Sequence, residues 1–461
     1  MNLRVEAEVW QQAWMQLRYS FRSVHAPEFG VLGLVVPSLH PKRSALIING
    51  LIMPDERSFD VQERDRLTFS TNYLRRAVLE ARRCGAGIVV LHTHPEARDW
   101  VDFSPFDNLE EPQLVASLRD LLPGQWFASV VGGSQSFMGR VWAPKSTGWS
   151  QLDRLTVVGE PWNEFNLDGQ PPTSVPSPGA MFDRALAVTG IGALGRLQRM
   201  RVAVVGTSGT GSLMAELLVR AGVGELLLVD DDRMGGENLN RILSSRRADA
   251  DNRRLKVEVL KERLDDLKLG THIETIARSV AEPKVLDELR GVDVVFGCMD
   301  RHWPRYLLSR LAIQYVLPLI DMGTEIGVTG DRLDSVNARV SYVAPGRPCL
   351  SCSGVVLSDR IQLETLTPQE QSAHLTMGYS PDFRLHEPAV TDLNMRAAGL
   401  AMLLLRHLLQ PFMQEGVPVH LRESVVTASV KRDNADISAR CVFCDSGIYR
   451  GTGDRGPAIL L

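Results

Sequence analysis

The stretch from Arg201 to Arg241, RVAVVGTSGTGSLMAELLVRAGVGELLLVDDDRMGGENLNR, constrains the fold more than any other part of the chain. Val202 to Val205 is a short apolar run, and Gly206, Gly209 and Gly211 follow it at once. Leu213, Met214, Leu217 and Leu218 then recur at helical spacing until Gly222 supplies a stop. A second apolar run, Leu226 to Val229, ends on Asp230. Strand, glycine loop, helix, strand and terminal acid make a nucleotide-binding βαβ unit of the α/β class. Backbone N–H groups at the helix start receive phosphate, and the acid takes a ribose hydroxyl. On its own, such a unit most often belongs to a dinucleotide oxidoreductase.

The residues after the acid change that reading. Asp230-x-Asp232 followed by Asn238-Leu239-Asn240-Arg241 resembles the ThiF/MoeB/HesA superfamily, the adenylating fold of ubiquitin-activating enzymes. The rest of that pattern follows in order: Lys256 heads a helical stretch, Asp300 closes VDVVFGCMD, Arg305 comes next, and two Cys-x-x-Cys pairs come last. The resemblance spans about residues 180 to 445. It implies that ATP and Mg²⁺ are bound. Gly206, Gly209 and Gly211 would accommodate phosphate, Asp230 the ribose, Arg241 and Lys256 the charge on the reacting phosphate, and Asp300 the Mg²⁺. Asn238 either joins that site or only fixes its turn, and Arg305 is structural or faces the substrate. Ser208 stands where the family usually has glycine, so the loop is expected to be tighter or to offer an extra hydroxyl. In the family an arginine of the leading helix reaches across a homodimer to the other subunit's ATP, and Arg184 matches it.

Length and composition fit these assignments. The 461 residues allow two or three domains, and 44% hydrophobic with 23% charged residues is ordinary for a globular chain. With 51 basic and 55 acidic residues the formal charge is −4, so neither nucleic acid nor an anionic membrane is an expected partner. The opening MNLRVEAEVW places acids where a signal peptide needs an apolar core, and AAGLAMLLL is too short to span a membrane; a cytoplasmic protein is expected.

Ahead of the nucleotide unit, an amphipathic helix (Val5, Val9, Trp10, Ala13, Leu17) leads to Glu28 and a buried strand. A strand follows at residues 45–51, then a helix capped by Ser70 and stopped at Gly85. In GIVVLHTHP, His92 and His94 lie two apart, so an extended chain turns both imidazoles the same way, as two ligands of one metal require. Glu28, His92-x-His94-Pro95 and Ser104-x-x-Asp107 resemble the JAMM (JAB/MPN) metalloprotease signature. That resemblance implies Zn²⁺ held by His92, His94 and Asp107, with Glu28 as general base and Ser104 supporting the oxyanion. Nine residues separate His94 from Ser104, more than the family's usual spacing, and Asp99 and Asp102 fall within them as rival third ligands.

The expected organisation is a JAB/MPN α/β metalloprotease domain at 1–145, a Pro/Gly/Ser-rich linker at 146–180 and a Rossmann-like ThiF adenylation domain at 181–461. Cys349, Cys352, Cys441 and Cys444 form two Cys-x-x-Cys pairs 88 residues apart, the pattern of a closed structural Zn²⁺ site. Thioester-forming relatives carry a nucleophilic cysteine between such pairs, and residues 353–440 contain none; only Cys84 and Cys298 remain. A thioester on this chain is therefore not expected. Direct transfer of the acyl adenylate is expected instead, or an oxyester on Ser358, Thr365, Thr367, Ser372, Thr376 or Ser380. The resemblances imply adenylation and zinc-dependent cleavage at the C-terminus of one ubiquitin-like protein, with a conjugating-enzyme-like acceptor. The alternatives are sulfur-carrier activation with a sulfurtransferase acceptor, and a non-catalytic scaffold.

Overall fold

The computed structural model describes residues 1–23, 25–171, 180–376, 390–444 and 448–459. The chain forms two compact units: Met1–Pro176 with Gln314–Val316 and Gly447–Pro457, and Ser177–Ile313 with Leu317–Ser446 and Ala458–Leu461.

The first unit carries β1 (Asn2–Glu6), α1 (Ala7–Leu17), β2 (Gly30–Ser38), β3 (Ala45–Ile52), β4 (Phe59–Gln62), β5 (Leu67–Phe69), α2 (Thr71–Cys84), β6 (Gly87–Thr93), α3 (Pro105–Leu121), β7 (Phe127–Gly132), β8 (Phe137–Trp142), β9 (Ser150–Gln151), β10 (Arg154–Val158) and β11 (Asn163–Asn166). Nine of these strands form one mixed sheet in the order β11-β10-β1-β3-β2-β6-β7-β8-β9, and β4 pairs with β5 alone. Period-two alternation sends Val31, Val35, Val89 and Leu91 to one face, where they pack with Trp10, Ala13 and Leu17 of α1. His92 is therefore on the opposite face from Leu91. Ser70 caps α2 by accepting from Tyr73 N at 3.3 Å, and Gly85 closes it in the left-handed conformation (φ 62°).

Two readings of the sequence are corrected here. Val5, assigned to the first helix, belongs to β1, because its apolar neighbours alternate as a strand until Ala7. Within the stretch read as a linker, residues 150–166 supply β9, β10 and β11. The run Leu155-Thr156-Val157-Val158 lies parallel to β1 in the sheet interior, too short a signal to stand out among the surrounding prolines and glycines. Residues 172–179 of that stretch lie outside the described residues.

The second unit carries α4 (Asp183–Arg199), β12 (Arg201–Val205), α5 (Gly209–Ala221), β13 (Glu225–Val229), α6 (Arg247–Asp251), α7 (Lys256–Asp265), β14 (His272–Ile276), α8 (Pro283–Leu289), β15 (Val294–Gly297), α9 (His302–Tyr315), β16 (Leu319–Thr329), β17 (Arg332–Val343), α10 (Ser358–Thr365), α11 (Pro368–Thr376), α12 (Thr391–Leu409), β18 (His420–Ser424) and β19 (Ser429–Asp433). Its sheet runs β14-β13-β12-β15-β16-β17-β18-β19, parallel from β14 to β16 and antiparallel beyond. The central parallel strands β12, β13 and β15 are near-continuous apolar runs, as burial on both faces demands, whereas the edge strand β14 (HIETI) is mixed and partly exposed. The α/β class with a Rossmann-like second unit is as the sequence predicts. Among the described residues no helix is long and apolar enough to cross a membrane.

Ser70 Oγ also donates to Arg57 O at 2.7 Å, so it ties α2 to the preceding loop as well as capping it. Ser70→Ala should lower the stability of the first unit by about 1 kcal/mol, read as a lower urea midpoint. Ser70→Asn, which keeps an acceptor and a donor, should recover most of it; equal midpoints for wild type and Ser70→Ala would show that the cap contributes nothing.

Candidate functional sites

In the second unit, β12 ends at Val205 and the chain turns at Gly206 (φ 89°) to start α5 at Gly209. A Cβ on Gly206 would meet the Cys298 carbonyl oxygen at 2.7 Å, and one on Gly211 would meet the Gly206 carbonyl oxygen at 1.8 Å. A bare backbone is thus the only one this turn admits, which leaves a cradle open above the first N–H groups of α5. Ser208 precedes the helix, but its hydroxyl does not cap it.

Asp230, at the end of β13, accepts from Thr207 N (2.6 Å), Thr207 Oγ1 (3.0 Å) and Asp232 N (2.9 Å). Burial pushes its pKa above the usual carboxylate range, against the pull of Lys256 and of these N–H groups. Lys256, first residue of α7 and buried, places Nζ 2.7 Å from Asp232 Oδ2. Arg241 donates from Nη1 to Glu237 O at 2.7 Å. Asn238 is buried and accepts Gly235 N through Oδ1 at 2.9 Å, so in this structure it fixes the turn that presents Arg241. Asp300 does not end a strand as the sequence suggested: β15 stops at Gly297, and Asp300 is exposed three residues on. Arg184, on the first turn of α4, is exposed. Arg305 reaches the fully buried Asp321 (Nε to Oδ2, 3.3 Å), which also holds Arg339 at 2.9 Å.

The four cysteines converge: every pair of Sγ atoms lies within 4.8 Å, with Cys349 to Cys441 at 3.7 Å and Cys352 to Cys444 at 3.9 Å. A tetrahedron with metal–sulfur bonds of about 2.3 Å has edges of about 3.8 Å, so these spacings fit Zn²⁺. They are far too long for disulfides. A hydrogen bond from the Cys444 thiol holds Cys349 down to about 5, and backbone N–H groups of Cys352, Cys349 and Ser438 point at Cys349, Cys444 and Cys352 in turn. Neither remaining cysteine is poised as a nucleophile: burial raises the pKa of both Cys298 and Cys84.

In the first unit, His92 from β6, His94 just beyond it and Asp107 from the first turn of α3 form a second cluster with ligand atoms within 4.8 Å of one another. His92 Nε2 is 3.4 Å from Asp107 Oδ1, and His94 Nε2 is 3.2 Å from Asp107 Oδ2. Ligands about 2.0–2.1 Å from a tetrahedral centre lie about 3.3 Å apart, so this set also fits Zn²⁺. Both ring nitrogens of His92 and Nε2 of His94 are buried without a hydrogen-bond partner, which is unusual for polar atoms unless something else engages them. Glu28 Oε1 lies 3.5 Å from His94 Nε2.

Ser104 and Asp107 cap α3 reciprocally: Asp107 N donates to Ser104 Oγ (3.1 Å), while Ser104 N (2.7 Å) and Oγ (2.8 Å) donate to Asp107 Oδ2. The serine thus orients the aspartate carboxylate here. The long spacing from His94 is absorbed by a loop whose Val101 and Phe103 pack on Val131. Asp99 and Asp102, the rival ligands, are exposed.

Charge is sorted sharply within the cluster. Burial pushes Glu28 up to about 8, with His92 opposing and Asp107 and Asp65 adding to the rise. Burial pulls His92 down, but the Asp107 carboxylate leads a set of acids that lifts it to about 9. Burial acts to raise Asp107, yet the His92 charge, the closeness of both imidazoles and the hydrogen bonds from Ser104 hold it well below the carboxylate range.

Sequence reasoning missed what supports α3. Arg140 of β8 donates to Glu111 (Nε to Oε2, 2.9 Å), to Asn108 Oδ1 (2.6 Å) and to the Asp107 carbonyl (3.2 Å), and its guanidinium lies over Phe103 at 3.7 Å. Ser129 Oγ closes the network by donating to Glu111 Oε1 at 2.5 Å. The one available signal was Glu111 four residues after Asp107, on the same helical face.

The ThiF family matches residues 182–432. Curated relatives include adenylyltransferase and sulfurtransferase MOCS3 of Mus musculus, 31% identical over 206 residues (42% of this chain, 42% of that protein). Ubiquitin-like modifier-activating enzyme 5 of Culex quinquefasciatus is 27% identical over 203 residues (40% and 48%). The chain spans about half the length of the curated relatives it matches. Among solved structures, E. coli MccB with ATP is 16% identical, with a TM-score of 0.46 over 59% of this chain and 76% of that one.

The raised pKa of Glu28 has a thermodynamic consequence. Its folded-state value, about 8, exceeds the ordinary 4.5, so the stability it contributes is present below about 4.5 and lost as pH rises through about 8. Chelator-treated protein should therefore lose stability between about pH 5 and pH 8, and Glu28→Gln should lose less of it, measured as urea midpoints at the two pH values. His92 is lifted in the same direction and in part by Glu28, so it is lifted less in Glu28→Gln, and its change adds to the difference in the same sense. Parallel pH profiles would reject this account of Glu28.

Proposed function

This chain belongs to the ThiF family, and from that premise we propose that its second unit adenylates the C-terminal carboxylate of a ubiquitin-like protein with ATP and Mg²⁺. The observation that carries the reading is the bare-backbone cradle at the start of α5, within the matched region and with Asp230, Arg241 and Lys256 around it. The acyl carboxylate attacks the α-phosphate, forming the acyl–phosphate bond as the bond to pyrophosphate breaks. Lys256 and Arg241 stabilise the charge that builds on the phosphate oxygens, exchanging Asp232 and the Glu237 carbonyl for them. Mg²⁺ on Asp300 would neutralise the departing pyrophosphate, and Arg184 would reach the ATP of a second copy in a homodimer.

The same reading gives the first unit a hydrolytic role at the same C-terminus, either maturing a precursor or releasing a conjugate. Zn²⁺ on His92, His94 and Asp107 would polarise the scissile carbonyl and lower the pKa of its bound water. Glu28, with its pKa lifted towards neutrality, takes a proton and returns it to the leaving amine. The buried ring nitrogens without partners support a metal there.

With no cysteine at residues 353–440, between the two pairs, the adenylate passes directly to a nucleophile on a separate conjugating-enzyme-like protein. Of the hydroxyls that an oxyester would need, Thr365 Oγ1 already donates to the Ile361 carbonyl and Thr367 Oγ1 to Glu370; the Thr376 side chain and Ser380 lie outside the described residues. The likeness to an adenylyltransferase and sulfurtransferase favours a second reading, in which the acceptor is a sulfurtransferase and the product a thiocarboxylate.

Intact mass of a candidate ubiquitin-like protein, with and without ATP·Mg²⁺ and with hydroxylamine as trap, tests both halves. An ATP-dependent hydroxamate is expected, about 100-fold slower with Lys256→Ala. Loss of residues beyond a terminal glycine should need no ATP and should vanish with His94→Ala. Hydroxamate formation undiminished in Lys256→Ala would overturn the role of Lys256, and cleavage surviving His94→Ala would overturn the hydrolytic site. A sulfurtransferase charged with a persulfide and supplied with a dithiol reductant, in place of hydroxylamine, adds a thiocarboxylate mass only under the second reading: the persulfide displaces AMP to give an acyl disulfide, which the dithiol reduces.

A further inference from the structure

Asn394 belongs to α12, the helix that follows the segment between the two cysteine pairs, and no expectation from the sequence gave it a role. It is 3% exposed, yet its carboxamide makes no hydrogen bond among the described residues. An amide without a partner has both N–H donors free for a ligand. Its direction shows where that ligand would lie. A Cβ built on Gly209, the first residue of α5, would overlap Asn394 Nδ2, and Arg241 Cδ lies 3.6 Å from the same point. Gly209 is thus bare because the amide of Asn394 comes down on it.

Three elements meet over the first turn of α5: the glycine loop, the turn carrying Arg241, and the first turn of α12. The last two are tied together, since Thr391 Oγ1 donates to the Asn240 carbonyl. The N-terminus of this 13-residue helix is electropositive and presents N–H groups that have no carbonyl partner one turn back. An amide donor beside it completes a site for an anion with several oxygens.

We propose that Asn394 is a nucleotide-binding residue whose Nδ2–H donates to a phosphate oxygen held at the start of α5. The assignment rests on reading the glycine loop as the ATP site, and it adds a contact from the far side of the cysteine-bracketed segment.

The test is ATP and adenosine affinity of the full chain by isothermal titration, for wild type, Asn394→Ala and Asn394→Asp. Asn394→Ala should weaken ATP about tenfold and leave adenosine unchanged. Asn394→Asp, the same shape with a charge facing phosphate, should weaken ATP further and again spare adenosine. It also keeps the test alive should the alanine variant fail to fold. ATP binding unchanged in both variants would overturn the proposal, and so would equal weakening of ATP and adenosine, which marks a packing role. A wild-type chain that binds no ATP would remove the nucleotide reading itself, and this assignment with it.

Discussion

Gly211 sets its Cα so close to the Gly206 carbonyl that no side chain fits between them, and the glycine-loop end of the second unit depends on that approach. It brings the start of α5 against the end of β12, and the loop after β15 closes over Gly206 from the other side. The strands beneath are buried and apolar, so the sheet supplies a rigid floor. The polar groups at the helix start are the ones left pointing outward. Asp230 then fixes the loop from below by accepting both the N–H and the hydroxyl of Thr207. The cradle therefore holds its shape from internal bonds alone, and little ordering remains to be done when an anion arrives.

The first unit reaches the same end with a different device. Two histidines near the end of a buried strand are fixed by the sheet, whereas Asp107 lies on a helix and must be brought to them. Reciprocal capping with Ser104 sets its carboxylate, and Arg140 with Glu111 sets the helix. The three acids nearby are treated oppositely: Glu28 is desolvated towards its neutral form, Asp107 is held as an anion beside His92, and Glu111 is satisfied by a guanidinium. Carboxyl groups pushed apart in this way can divide the work of holding a cation and moving a proton.

Much of this was legible in the chain because the decisive signals are local. Gly206, Gly209 and Gly211 stand next to an apolar run, the histidines sit two apart, and Ser104 precedes Asp107 by the three residues a capping box requires. What was not legible depends on partners distant in sequence. β10 is recognisable only through β1, some 150 residues earlier, and Arg140 reads as an ordinary strand arginine until Glu111 is set against it. Asn394 gave no signal at all: an asparagine near a helix start suggests a cap, and only the packing of α12 on α5 gives its amide another meaning.

In the proposed nucleotide site the cations are held rather than free. Lys256 is buried but bonded to Asp232, whose side chain is 67% exposed, and Arg241 is turned onto a backbone carbonyl. An ion pair with one partner in water is worth little, about 0–1 kcal/mol. A polyphosphate with several charges can outbid it for the ammonium, because most of the lysine's desolvation is already met in the folded chain. Asp232 then acts as a placeholder that keeps the buried charge compensated while the site is empty of anion, at small cost when it is displaced. The division follows from burial: the ammonium is fixed inside, its counter-charge sits at the water's edge, and the exchange of one anion for another needs no rearrangement of the sheet or of α7.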